Sequence, residues 1–424
     1  MEVYKFGGAS IRDAKRIKEI PTILRHHNPK QLLIIVSALG KTTNALERIL
    51  DHYVLSEVDA MKRELSSLQK QHYDIMDELF ENGHVIYDEI NDTFEELNWI
   101  LEEEPVEQYD YLYDQVVSFG EFLSSKIMAA YLNDQKLPTT WLDVRDCIQT
   151  DNSYREAIVD WELSSQRITQ YVPKLTESGY VLSQGFLGGT SENFTTTLGR
   201  EGSDYTAAIF SYCLNAERMT IWKDVPGVLS ADPRLFDQVH KIDELSYKEA
   251  IELTYYGAQV IHPKTIRPLE NKLIPLYVNS FIDWDREGTV IKKVSTSSYP
   301  PMIVVKNDQA LLKIFSKDFY FVDEAKFSNL FGVIARKQVK VNMTQNTALS
   351  FSVCVNNQPD KIAALVAELS DQYDFDITED LKLVTIRYAD QDSLGKVMNG
   401  RPIYLEERIR NTTQLVIDQK EILV

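Results

Sequence analysis

The sequence predicts an α/β protein with a largely parallel central sheet, followed by a smaller α+β region. Three observations carry this expectation. A short strand, a glycine turn, an amphipathic helical stretch and a continuous apolar run follow one another at the start of the chain. Strand and helix signals alternate again from Tyr180 onward. Past a Ser/Pro-rich stretch near residue 300 the pattern changes to short strands with two helices.

Val3 to Phe6 reads as a strand and Gly7-Gly8-Ala9-Ser10 as a turn. Ser10, with Asp13 three residues on, is a candidate helix start, and Ala14, Ile17, Ile20 and Leu24 give that helix one apolar face. Leu32 to Val36 is uniformly apolar, as in a strand buried on both faces. From Thr43 to about Leu132 the reading is helical: Leu65, Leu68, Ile75, Met76 and Leu79 recur at about 3.6 residues, too briefly for a coiled coil, so a packed helical insertion is expected. The acidic run Glu102 to Glu104 before Pro105 reads as a solvated loop.

Tyr180 to Ser183 is a strand, followed by a polar, glycine-rich stretch from Gly185 to Gly202. Tyr205 to Leu214 is a helix, Met219 to Trp222 a strand, Tyr247 to Tyr256 a helix, and Ile274 to Val278 and Gly288 to Ile291 strands. Ser295 to Pro301 is a linker. Beyond it, Leu311 to Phe315, Ser350 to Val355 and Leu383 to Tyr388 read as strands, with helices at Glu324 to Lys337 and Asp360 to Tyr373, in the βαββαβ order of a ferredoxin-like module. After Tyr388 come a short helix (Leu394 to Met398) and strands at Pro402 to Glu407 and Thr413 to Asp418, read as a second module lacking its second helix.

Composition sets limits on function. At 424 residues the chain exceeds one ordinary domain. Its 44% hydrophobic and 26% charged residues are those of a globular protein. Forty-five Lys and Arg against 64 Asp and Glu leave a net charge of −19, which disfavours nucleic acid or anionic lipid as a partner. Any anionic substrate therefore needs locally concentrated cations. Three scattered cysteines without CxxC spacing exclude a disulfide scaffold and a cysteine zinc site, and no metal ligands are assigned. Leu32 to Ala38, the best apolar run, is too short to span a bilayer. Met1 to Lys5 shows no leader, so a cytoplasmic protein is expected.

Three motifs could carry chemistry. In Lys5-Phe6-Gly7-Gly8-Ala9-Ser10 a lysine ends a strand and two glycines precede a helix, which suits an anion held by backbone N–H groups and a point charge; a plain tight turn reads equally well. Thr195 to Asp204 (TTTLGREGSD) sets Arg200 between glycines ahead of a helix, with Ser203-Asp204 as an N-cap. Lys223 to Arg234 (KDVPGVLSADPR) follows a strand and mixes two turns with charges suited to a nucleotide; a charged surface turn is the alternative. By themselves, Ser118-Phe119-Gly120-Glu121 reads as an exposed helix position and His262-Pro263 as structural.

Taken together, KFGGAS (5–10), VSALGKTTN (36–44), SFGE (118–121), TTLGREGSDYTAA (196–208), WKDVPGVLSADPR (222–234) and YGAQVIHPKTI (256–266) resemble the aspartate kinases of the amino-acid kinase family. The resemblance implies a three-layer α/β/α kinase domain over 1–297, with the helical insertion at about 43–132 and a nucleotide lobe over about 200–297. It also implies an ACT-like regulatory or dimerising region over 302–424, and hence a homodimer. The implied reaction moves the γ-phosphoryl of ATP, with Mg2+, to the side-chain carboxylate of L-aspartate. Lys5 would contact the transferring phosphoryl, with Gly7 and Gly8 supplying N–H groups and Asp204 positioning Lys5 or the amino group. Ser37, Thr43, Glu121, Arg200 and Ser203 would hold aspartate, Arg200 on the α-carboxylate and Glu121 towards the ammonium. Lys223, Asp224, Leu229, Asp232, Arg234 and Gln259 would line the nucleotide site. Gln259 stands where many relatives have Lys, and Leu229 where some have Tyr. The alternatives are another carboxylate kinase on the same fold and an inactive kinase-like amino-acid sensor.

Overall fold

The structure is a computed structural model that describes residues 1–258, 261–294, 298–317 and 324–419. The chain divides into two units, Met1–Val228 with Ile242–Ile251 and Ile261–Val294, and Leu229–Lys241 with Glu252–Val260 and Ser295–Val424.

In the first unit β1 (Glu2–Phe6) leads through a 3-10 turn at Gly8–Ile11 into α1 (Ala14–His27). Asp13, not Ser10, caps this helix: its carboxylate accepts the Arg16 N–H at 2.8 Å. Ser10 is buried and donates its hydroxyl to the Trp222 carbonyl at 3.0 Å, which pins the glycine turn to a neighbouring strand and takes Ser10 out of any cap. β2 (Leu32–Val36) is buried at every residue. Five helices follow: α2 (Thr42–Val54), α3 (Val58–Leu79), α4 (Ile86–Glu102), α5 (Tyr109–Val117) and α6 (Phe119–Asp134). Their apolar faces share one core with α1 and with Tyr4, Phe6, Leu32, Ile34 and Val36.

β3 (Thr139–Leu142), α7 (Trp161–Leu175) and β4 (Tyr180–Gln184) come next. The glycine-rich stretch then contains a small hairpin, β5 (Leu187–Gly189) with β6 (Thr195–Thr197), too short to show as periodicity. α8 (Gly202–Cys213) and β7 (Arg218–Lys223) follow, then β8 (Glu244–Ser246), α9 (Tyr247–Tyr255), α10 (Pro263–Lys272), β9 (Leu276–Ser280) and β10 (Thr289–Lys292). The eight-stranded sheet runs β3-β4-β2-β1-β7-β9-β10-β8 and is parallel apart from the β9–β10 pair. α7, α8 and α10 pack together on the face opposite the helical core. Alternate strand residues face opposite sides, so Tyr4 and Phe6 enter that core while Lys5 points to α8.

The second unit holds β11 (Met302–Ser316), α11 (Glu324–Arg336), β12 (Val341–Asn346), β13 (Ser350–Asn356), α12 (Pro359–Leu369), β14 (Tyr373–Arg387), α13 (Gln391–Met398), β15 (Ile403–Ile409) and β16 (Thr412–Asp418). They form one antiparallel sheet in the order β12-β13-β11-β14-β16-β15. β11 and β14 are 15 residues each, longer than the Leu311–Phe315 and Leu383–Tyr388 segments read from the pattern. Register shifts between Lys306 and Leu311 divide the pair into two stretches. Around one, Leu312, Ile314, Leu330, Val333 and Leu365 form a core under α11 and α12. Around the other, Val384, Ile386, Leu415 and Ile417 pack on Val397 of α13 and on Phe236. Both stretches thus draw on the same two strands.

Among the described residues no helix is long and apolar enough to cross a membrane. The three cysteines are buried and unpaired. Most of the Lys317–Glu324 segment, and part of the Ser295–Pro301 linker, lie outside the described residues.

Candidate active site

The site forms where the carboxyl ends of β1 and β2 meet the amino end of α8, the usual position for ligands in an open α/β sheet. Lys5 projects from β1 with its Nζ 2.7 Å from Asp204 Oδ1, and both side chains are at most 10% exposed. Burial opposes ionisation of Asp204, but the charges of Lys5 and Lys223 outweigh it and hold the carboxyl below its ordinary value.

The glycine pair has a steric reason. A Cβ on Gly8 would fall 2.7 Å from the Ala38 carbonyl oxygen, so only glycine lets the turn after β1 lie against the turn after β2. One added to Gly7 would meet Lys5 Nζ at 3.4 Å, which places the bare backbone beside the ammonium. Gly8→Ala is expected to displace the Ala38 turn and lower the melting temperature and activity together, whereas Gly7→Ala should leave the melting temperature nearly unchanged; thermal denaturation of both variants checks this.

Glu121 corrects the reading of an exposed helix position. α6 approaches the Ala38–Thr42 turn so closely that a Cβ on Gly120 would sit 3.0 Å from Ala38 Cβ, and this contact buries the next residue. Glu121 is 3% exposed; Oε1 accepts the Ala38 N–H at 3.2 Å and Oε2 is buried without a hydrogen-bond partner among the described residues. Burial raises its pKa to about 8, against the opposing Ala38 hydrogen bond and the Lys5 charge. A carboxyl whose folded pKa lies above its unfolded value loses stability as pH rises between the two. The ligand-free protein is therefore expected to lose stability from about pH 4.5 to about pH 8 through this group. Glu121→Gln should flatten that slope and raise the melting temperature at pH 8.5 relative to pH 5, which a pH series of melting curves would show.

The Ser203-Asp204 pair does not cap α8. The helix starts at Gly202, with Glu201 in a left-handed conformation before it, so Ser203 and Asp204 lie in its first turn. This rotation turns Asp204 inward to Lys5. Glu201 binds elsewhere: its Oε2 accepts the His262 N–H at 2.9 Å. His262 itself caps α10, accepting the Lys264 N–H, a structural role.

Lys5, Ser37, Thr43, Glu121, Arg200, Ser203 and Asp204 all line a single cleft of about 730 Å³. Arg200 is exposed on its wall, with no ion-pair partner among the described residues. Pattern reading missed Asp110, Tyr113, Tyr154, Arg155 and Phe186, which line the same cleft from α5, an irregular strap and the turn after β4. No spacing rule links them.

The residues expected at a nucleotide are distributed differently. Lys223 ends β7 and Asp224 is exposed in the turn beyond it. Leu229, Asp232 and Arg234 belong to the second unit. There Arg234 Nη2 lies 2.7 Å from Asp232 Oδ2, and this pairing, with the Arg234 N–H at 2.9 Å, holds the Asp232 carboxyl below its ordinary value. Gln259 lies outside the described residues. Among the described residues no cluster of three His, Cys, Asp or Glu side chains could hold a metal ion.

A phosphate-suited glycine turn and a buried lysine, beside a cleft carrying an arginine and a glutamate, are groups that would suit a small-molecule kinase. The comparisons agree. The model of the amino acid kinase family matches residues 1–280. Lysine-sensitive aspartokinase 3 of Escherichia coli is 29% identical over 396 residues, 91% of this chain and 86% of that protein. Chloroplastic aspartokinase 1 of Arabidopsis thaliana is 30% identical over 394 residues, 91% of this chain and 68% of that protein. The crystal structure of E. coli aspartokinase III in complex with aspartate and ADP superposes with a TM-score of 0.82 at 26% identity, covering 99% of this chain and 96% of that one. The chain belongs to the amino acid kinase family and, within it, to the aspartokinases.

Proposed function

We propose that the chain transfers the γ-phosphoryl of MgATP to the side-chain carboxylate of L-aspartate, giving 4-phospho-L-aspartate, the first step towards lysine, threonine and methionine. The observation that carries this reading is the single cleft lined by the Lys5–Asp204 pair, by Glu121 and by Arg200, which has no ion-pair partner among the described residues. Aspartate offers two carboxylates and an ammonium, and these residues are complementary to them. Arg200 takes the α-carboxylate as a planar fork. Glu121 takes the ammonium, whose charge restores a buried carboxylate to its ionised form. Ser37, Thr43 and Ser203 supply hydroxyl groups around the bound molecule.

The nucleophile is already ionised and needs no base. An anion attacking a polyanion requires alignment and positive charge. Lys5 carries that charge at the transferring phosphoryl, with Asp204 fixing the ammonium and the Gly7 and Gly8 N–H groups beside it. Lys223 and Asp224, at and beyond the end of β7, would supply contacts to the nucleotide. Mg2+ bound with the nucleotide would neutralise charge on the phosphates. The ACT-like region is proposed to join two copies of the chain, in the cytoplasm.

The test is ADP release by the purified protein with MgATP and one amino acid at a time. L-Aspartate alone should support turnover. Equal rates with L-glutamate would remove the assignment of Arg200 and Glu121 to a substrate of this length.

A further inference from the structure

We infer that Asp114 is a positioning residue for the substrate site, tying two arginine-bearing segments, the strap at Tyr154–Glu156 and the turn from Thr197 to Arg200, to helix α5. The inference rests on the reading that Arg200 holds a substrate carboxylate.

Asp114 is completely buried, yet its carboxylate makes no ion pair among the described residues. Its Oδ2 accepts the Thr197 N–H at 2.8 Å and its Oδ1 the Thr197 hydroxyl at 2.7 Å. The Arg155 N–H reaches both oxygens, at 3.2 and 3.0 Å. The two segments also bind each other, the Ala157 N–H donating to the Thr197 carbonyl at 2.9 Å. Arg155 sits at φ +67°, a conformation that non-glycine residues seldom adopt, so its N–H is held towards Asp114 against local preference.

Arg200 is three residues beyond Thr197, and the intervening Gly199 fits tightly on the strap. A Cβ there would lie 3.0 Å from Glu156 Cγ and 3.2 Å from the Arg155 carbonyl oxygen. A shift of the strap therefore moves the turn that presents Arg200. Gln115 secures the other end of β6, donating to the Thr195 carbonyl at 2.8 Å and accepting the Thr195 N–H at 3.3 Å. Two consecutive side chains of α5 thus hold the whole of β6.

The carboxylate is needed for its acceptors. Burial pushes its pKa up to about 6 despite the Thr197 and Arg155 hydrogen bonds and the Arg155 charge, and Tyr113 and Tyr154 also face it. Asparagine keeps the shape but turns an NH2 donor towards donors already present.

The test compares Asp114→Asn and Thr197→Val with wild type, varying aspartate and ATP separately and recording melting temperature. The expected result for Asp114→Asn is a KM for aspartate raised about tenfold, with the KM for ATP within about twofold and kcat less affected. Thr197→Val, which removes one hydroxyl at constant shape, should move the aspartate KM in the same direction by about threefold. It also carries the test if Asp114→Asn does not fold. A lowered melting temperature with both KM values unchanged would overturn the inference, leaving Asp114 a purely structural group. Wild type that does not phosphorylate aspartate at all would overturn the underlying reading and this inference with it.

Discussion

Replacing Lys5 with alanine should lower kcat by about three orders of magnitude, the typical cost of losing a preorganised charge aimed at the transition state. It should also destabilise the fold. Asp204 is 3% exposed, and removing its partner leaves a buried charge facing only Lys223 at longer range, a change that typically costs about 3–5 kcal/mol. The two effects separate in a second variant. Lys5→Met combined with Asp204→Asn removes both charges at similar volume, so its melting temperature should recover most of the loss while kcat stays low. Recovery of activity together with stability would show that Lys5 acts through folding alone.

Arg200→Ala is expected to raise the KM for aspartate about a hundredfold, since a bidentate charge-assisted pair is lost from a half-enclosed cleft. Stability should hardly change, because Arg200 is exposed and has no ion-pair partner among the described residues. Arg200→Lys should recover only part of the affinity, a point charge being a poor substitute for a planar fork. Kinetics with aspartate and ATP varied independently would check this. An unchanged aspartate KM would move Arg200 out of the substrate site.

Much of this site was legible in the sequence because its chemistry clusters around turns. Gly7-Gly8 before a helix, and Arg200 between glycines, declare close backbone approach and a local cation. Others carried no such mark. Glu121 reads as one more acid on a helix, and its burial comes from Gly120 packing on the Ala38–Thr42 turn, a contact between segments some 80 residues apart. Arg155 and Asp114 are brought together over 41 residues by a strap with no periodicity. Asp204 was read both as a cap and, through the resemblance, as a partner of Lys5; Glu201 in the left-handed region starts α8 two residues before Asp204, which removes the cap and leaves the carboxylate on Lys5.

The fold shows the same division. Leu32–Val36 was read correctly because a strand buried on both faces is uniformly apolar. β5 and β6, three residues each, are too short to display a period. β11 and β14 were read as short strands because each carries polar residues at its register shift, around Asn307-Asp308 and Glu379-Asp380, where the pattern breaks although the backbone continues.

The most direct measurement is to trap the product with hydroxylamine and determine which carboxyl has been activated. A carboxylate kinase makes an acyl phosphate, and hydroxylamine converts it to a stable hydroxamate at the same carbon. With MgATP and L-aspartate the expected product is the side-chain hydroxamate alone, formed in step with ADP. α-Hydroxamate would contradict the placement of Arg200 on the α-carboxylate. No hydroxamate from folded protein that binds ATP would contradict phosphoryl transfer itself.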